Sequence, residues 1–85
     1  MKKLELAEII AFVKERVARE TKLSPDQIDT DQYLGVYGLD SINSVHVLVE
    51  LERFTGLELN PLLFWDYPTI HKLSKHLHQL YLNKG

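Results

Sequence analysis

Residues 37–56 read YGLDSINSVHVLVELERFTG, and the fold turns on how this stretch is read. Asp40 is a good N-cap, because its carboxylate can accept the free backbone N–H groups of a first helical turn. Gly56 is placed to end that helix in a left-handed cap. Between them the spacing predicts a helix over 41–55. Val47, Leu48 and Leu51 fall on one half of the wheel and should face a core. Asn43, His46, Glu50, Glu52 and Arg53 spread over the other half. Ile42 and Val49 fall inside the polar half, so Ile42, His46, Val49 and Arg53 make a mixed stripe. Isolated surface apolar residues are normal. A partner-docking stripe starting beside Ser41 would give the same pattern, and the helical spacing leaves both open.

On the N-terminal side, Leu6, Ile9, Ile10, Val13 and Val17 recur at helical spacing, opposite Glu5, Glu8, Glu15, Arg16, Arg19 and Glu20. This is an amphipathic helix over 4–20. Pro25 disfavours helix at Ser24 and ends any continuation. Residues 22–40 show no period and hold Pro25, Gly35 and Gly38. A structureless loop of that length is uncommon in a compact domain unless it serves something. Ile28, Leu34, Val36 and Leu39 are expected to pin it to the core. On the C-terminal side, Asn60-Pro61 opens a short helix over 61–65. Thr69 caps a last helix, 69–82, that buries Ile70, Leu73, Leu77 and Leu80. The expected fold is all-α: a four-helix bundle with a short third helix, a long first loop and a single domain over 1–85.

With 85 residues the chain affords one small core, and at 45% hydrophobic it is too apolar for a disordered tail. There is no cysteine, so any thiol chemistry must come from an added group. A net charge of −2 argues against a nucleic-acid binder, which usually shows a basic face. Lys72, Lys75 and the nearby histidines are better read as a solvated face. Glu5 and Glu8 interrupt the apolar start of the chain, unlike a secretory signal, and no run is long enough to span a membrane. The expected location is the cytoplasm.

Ser41 poses the chemical question. Catalysis by this serine would need a base within reach and an oxyanion site. His46 lies five residues on, about 140° around the helix, where it cannot easily reach back. The G-x-S-x-G elbow is absent, and a helical chain of this size has little room for a substrate pocket. No catalytic residue is therefore assigned. His71, His76 and His78 are spaced by five and two, and neither spacing puts two rings on one helix face, so no metal site is expected. Asp26, Asp29 and Asp31 sit among turn residues, where aspartate is common for backbone reasons.

The stretch GLDSINSVHVLVELE resembles the phosphopantetheine attachment site of acyl carrier proteins. In that family an Asp-Ser pair opens the second helix after a long loop, with apolar residues at +1, +4, +6 and +10; here these are Ile42, Val45, Val47 and Leu51. LSPDQID resembles the family's first loop. LFWDYPTIHKLSKHL resembles the region that closes polyketide-type carriers, with Trp65, Pro68, Thr69 and Leu73 in register. The resemblance covers almost the whole chain.

It implies that Ser41 is a substrate: a phosphopantetheinyl transferase attaches 4'-phosphopantetheine to it from coenzyme A, beside the marker residue Asp40. The positive end of the helix dipole suits a phosphodiester there. Acyl groups then ride as thioesters. They are loaded by an acyltransferase or acyl-activating ligase and used by a ketosynthase or other tailoring enzymes. Ser44 is the competing acceptor, lacking the preceding aspartate. The resemblance also favours docking at Ile42, Val45, His46, Val49, Glu52 and Arg53. Fatty-acid carriers are strongly acidic along this helix. His46 and Arg53 depart from that pattern and point to polyketide or related specialised metabolism. Val47 stands where β-branching carriers have tryptophan. YGLDSI also resembles aryl and peptidyl carriers. The start at Met1 and the end just past the last helix suggest a free-standing carrier, and a monomer is expected. Two alternatives stand beside this reading: an aryl or peptidyl carrier, and a helical interaction domain in which Asp40-Ser41 is only a cap.

Overall fold

The protein is described by a computed structural model over residues 3–84, so Met1, Lys2 and Gly85 of the expected 1–85 domain lie outside the described residues. Among the described residues four helices follow in order: α1 (Leu6–Thr21), α2 (Ser41–Thr55), α3 (Leu63–Asp66) and α4 (Ile70–Asn83). Two short 3₁₀ turns, Pro25–Gln27 and Leu34–Tyr37, punctuate the long α1–α2 connection. Among the described residues no helix is long and apolar enough to cross a membrane.

Each helix boundary has a local cause. Glu8 Oε1 accepts the Glu5 N–H at 3.0 Å, and Lys22 takes a left-handed conformation at the far end of α1. The predicted limits of α2 are the observed ones. Asp40 Oδ1 accepts the Asn43 N–H at 2.8 Å, and Gly56 closes the helix at φ 73. A positive φ strains residues with a Cβ, which is why glycine serves here. The expected 61–65 helix starts later, at Leu63, because Asn60 Oδ1 accepts the Leu62 N–H and holds Pro61 and Leu62 in a turn. Thr69 caps α4 by accepting the Lys72 N–H at 3.1 Å.

One core joins these elements. Ile9, Val13 and Val17 of α1 cluster with Val47, Leu48 and Leu51 of α2 and with Ile70, Leu73 and Leu77 of α4. Helix α1 packs on both α2 and α4. Phe12 and Phe54 stack across the α1–α2 seam with ring centroids 3.9 Å apart.

Ile28 and Leu34 anchor the long loop in the core, as expected, and Leu39 is half-buried. Val36 is not an anchor: it is 65% exposed. It sits in the second 3₁₀ turn, where residues three apart share a face. Leu34 and Tyr37 take the inward face and Val36 is turned out. The loop is then sewn to the start of α4. Leu34 N donates to Pro68 O at 2.8 Å, His71 N donates to Thr30 O at 2.9 Å, and Tyr33 and Thr69 form an isolated antiparallel bridge. Tyr37 Oη accepts the Asp29 N–H at 2.7 Å, and Asp29 Oδ1 accepts the Asp31 N–H at 2.8 Å. Asp29 thus serves the backbone, as its turn setting implied.

Leu80 was expected in the core and lies on the surface. On α4 it falls about 80° from the axis of Ile70, at the flank of the stripe, whereas Tyr81 lies within about 20° of it. Tyr81 is the half-buried residue, and its hydroxyl accepts the Leu4 N–H at 3.2 Å. Ser74 is fully buried on the same helix, and its hydroxyl finds no partner among the described residues. An unmatched buried hydroxyl is destabilising, and alanine is the better helix former. Ser74→Ala is expected to raise stability by about 1 kcal/mol. A urea titration checks this, and a loss of similar size would mean that the hydroxyl holds a bond.

Candidate functional site

Ser41 is the first residue of α2 and is exposed. Two features fix its backbone. Asp40 turns its carboxylate onto Asn43 N, and Asp40 O accepts the Ser44 N–H at 2.9 Å as the first helical bond. Gly38, at φ 83, turns the loop just before the helix. Side-chain bonds then lock α2 against the end of α1. Asn43 Nδ2 donates to Glu20 O at 3.0 Å, and His46 Nδ1 lies 3.0 Å from Glu20 Oε1. The first two turns of α2 are thus held from one side while the serine faces outward.

The two serines differ in what their hydroxyls do. Ser44 Oγ donates to Ser41 O at 3.0 Å, a back-bond to the preceding turn, and the residue is half-buried. The Ser41 hydroxyl has no hydrogen-bond partner among the described residues. The exposed hydroxyl is therefore also the uncommitted one. It sits where unpaired N–H groups and the helix dipole favour an anion. A phosphodiester-linked group fits this position by exposure, by the rigid helix start beneath it and by charge.

The residues expected in the stripe take different places. Ile42 is 68% exposed, and Val45 and Val49 are exposed beside it. His46 and Arg53 also face outward, although His46 is tethered to Glu20 and Arg53 approaches Glu50 at 4.0 Å. Glu52 borders this face, but its Oε2 accepts the Leu59 N–H at 2.9 Å and so holds the α2–α3 connection. The histidines of α4 are separated: His71 Nδ1 lies 3.3 Å from Asp31 Oδ1, and His76 stacks on Tyr67. Among the described residues no cluster of three or more His, Asp or Glu side chains is set to hold a metal ion.

Glu20 escaped the sequence reading. It shares the charged face of α1 with Glu5 and Glu15, and nothing local marks it as the partner of Asn43 and His46, 23 and 26 residues on. Trp65 was noted only as a motif position, whereas it proves 85% exposed on the short α3. Its exposure has no periodic signal in a helix of four residues.

The model of the phosphopantetheine attachment site family matches residues 11–77, which includes the whole of α2. The chain belongs to that family. Its members bear covalently attached 4'-phosphopantetheine, and the carrier domain itself is non-catalytic. The chain is 37% identical over 76 residues to polyketide synthase PksN of Bacillus subtilis and 31% identical over 77 residues to 6-methylsalicylic acid synthase of Penicillium terrestre. Each match takes in 89% of this chain, yet the chain spans only 1% and 4% of those two proteins.

Solved carriers share its fold. A free-standing peptidyl carrier protein from a secondary metabolic pathway of Acinetobacter baumannii is 43% identical, with a TM-score of 0.86 over 89% of this chain and 95% of the other. The HMG-ACPI domain of the CurA module from Lyngbya majuscula is 28% identical, with a TM-score of 0.88 over 100% of this chain and 86% of the other. The all-α carrier fold expected from the sequence is thus the observed one. The function is that of a carrier domain, homologous to those of polyketide synthases, which tethers intermediates on a phosphopantetheine arm. The arm brings the thiol that this cysteine-free chain lacks.

Proposed function

We propose that Ser41 is the attachment residue and that residues 1–85 act as one monomeric carrier domain. The observation that carries this reading is the contrast between the two serines: Ser41 is exposed and uncommitted, while Ser44 is bonded to the turn before it. A phosphopantetheinyl transferase supplies the base and the oxyanion site that the chain lacks. In the transfer the Ser41 oxygen forms a new bond to the phosphorus bearing pantetheine. The pyrophosphate link of coenzyme A breaks, the adenosine bisphosphate half leaves, and the hydroxyl proton is released to base. Asp40 caps the helix, sets the serine's backbone and marks the site.

Acyl intermediates of polyketide or related specialised metabolism are the cargo, loaded by an acyltransferase or an acyl-activating ligase and passed to a ketosynthase or tailoring enzymes. The similarity to polyketide synthase PksN of Bacillus subtilis supports this. The 43% identity to a peptidyl carrier favours a second reading, in which the cargo is an aminoacyl or aryl group loaded by an adenylating ligase. Incubation with a promiscuous transferase and coenzyme A tests the carrier reading by intact mass. One added phosphopantetheine is expected, and no gain would count against Ser41 as a working attachment residue.

Partners read the face that starts at Ile42 and continues through Val45, His46, Val49 and Arg53, with Glu52 at its edge. The exposure of Ile42, Val45 and Val49 beside Ser41 supports this. Val49→Glu is expected to leave the helical circular dichroism intact and to lower turnover by a partner enzyme about tenfold or more, as loss of an interface anchor does. Collapse of the fold instead would place Val49 in the core.

A further inference from the structure

A cleft of about 380 Å³ lies between α1 and α2, and three arginines line it: Arg16 and Arg19 from α1 and Arg53 from α2. Its two acids are already engaged. Glu20 Oε1 lies 3.0 Å from His46 Nδ1 and also accepts from Asn43 Nδ2, and Glu50 Oε1 lies 4.0 Å from Arg53 Nη1. Arg19 pairs with Glu15 at 3.2 Å, but both side chains are more than half exposed, and exposed pairs are weak enough to be exchanged. Arg16 has no ion pair among the described residues. Its Cζ lies 4.9 Å from the centroid of the Phe12 ring, and that ring stacks on Phe54. Its Nε is shut off from solvent and finds no partner among the described residues. Buried polar groups are nearly always matched, so one that is not calls for an explanation. Arg16 is thus held in place by an aromatic stack while its charge stays unmatched.

We propose that this cleft receives an acidic segment of a partner enzyme, with Arg16, Arg19 and Arg53 taking its carboxylates. This rests on α2 being the docking face, and it carries that face around onto α1. Three observations select that occupant. Three arginines against two glutamates leave the cleft positive even with His46 neutral, in a chain whose net charge is −2. The cleft therefore opposes the sign of the chain as a whole and favours an acidic partner. Guanidinium groups are suited to carboxylates, which they bind through paired N–H donors. With Nε of Arg16 turned inward, its Nη groups are the donors left for a ligand. The cleft is also continuous with the docking face, because His46, Val49 and Arg53 belong to both. A partner lying along α2 meets Arg16 and Arg19 without any movement of the helices. Held on two helices at once, it cannot turn about α2, and this fixes the direction from which it approaches Ser41.

The probe is a hexaglutamate peptide, capped at both ends and titrated at low salt into nitrogen-15-labelled protein followed by two-dimensional NMR. Hexaglutamine and inorganic phosphate are run beside it. No partner enzyme and no loaded arm is needed, so failure here strikes the arginine cleft alone and leaves the α2 face to the Val49→Glu test. Hexaglutamate is expected to shift the signals of Arg16, Arg19 and Arg53, and hexaglutamine to shift none of them. About 0.3 M sodium chloride should reverse the binding, as it screens exposed charge. Arg16→Gln and Arg53→Gln should each weaken it by about two- to fivefold, the range of an exposed ion pair. The Arg53 side chain is 75% exposed, so that variant should fold normally even if Arg16→Gln disturbs the packing on Phe12. Lys72→Gln, on α4, should change nothing. Shifts confined to Lys72 and Lys75 would overturn the proposal, as would equal affinity of the wild type and both arginine variants. Phosphate shifting the arginine signals as strongly as the peptide does would overturn it too, leaving a site for free anions.

Discussion

Leu51→Ala is expected to remove about 2–5 kcal/mol of stability, the range for truncating a buried leucine in a packed core. Leu51 has no exposed surface and sits in the cluster that joins α1, α2 and α4. The loss has two parts: the transfer of three carbons' worth of side chain back to water and the cavity that remains. The cavity should collapse poorly, because Val13, Val17, Leu73 and Leu77 in the same cluster come from helices capped at their own ends. Net stabilities of small domains are about 5–15 kcal/mol, so this one change takes a large share. Thermal unfolding should fall by about 10 °C or more. Leu80→Ala is the internal control. The side chain is of the same size but 36% exposed at the flank of α4, so its truncation should cost clearly less than that of Leu51. Equal losses at the two positions would contradict the core described above.

That pair also shows what the sequence carried. Leu51 was legible because α2 is long enough for its apolar half to emerge, and because Asp40 and Gly56 marked both ends. Leu80 was misread because α4 ends beside it, and the stripe passes to Tyr81, a residue with a polar tip that a simple apolar count overlooks. Val36 was misread for a different reason. It lies in a 3₁₀ turn of four residues, too short to show a period, so the sequence offered only its apolar character. The site divides in the same way. Ser41 and Asp40 were legible as a local motif at a helix start. The tether from Glu20 to Asn43 and His46 was not, because it depends on how α1 and α2 meet. Neither was the arginine cleft, whose walls come from α1 and from α2.

The second large effect concerns the serine itself. Removing the Ser41 hydroxyl takes away the one oxygen that the proposed transfer can use, so the loss should be complete rather than graded. The fold should survive, since the side chain is exposed and the cap is provided by Asp40. Ser44 cannot substitute, because its hydroxyl is drawn back to Ser41 O, a turn inside the helix. The decisive measurement is intact mass after incubation of the wild type, Ser41→Ala and Ser44→Ala with a promiscuous transferase and coenzyme A. The wild type and Ser44→Ala should each gain one phosphopantetheine and Ser41→Ala none; a gain by Ser41→Ala together with its loss in Ser44→Ala would contradict the assignment.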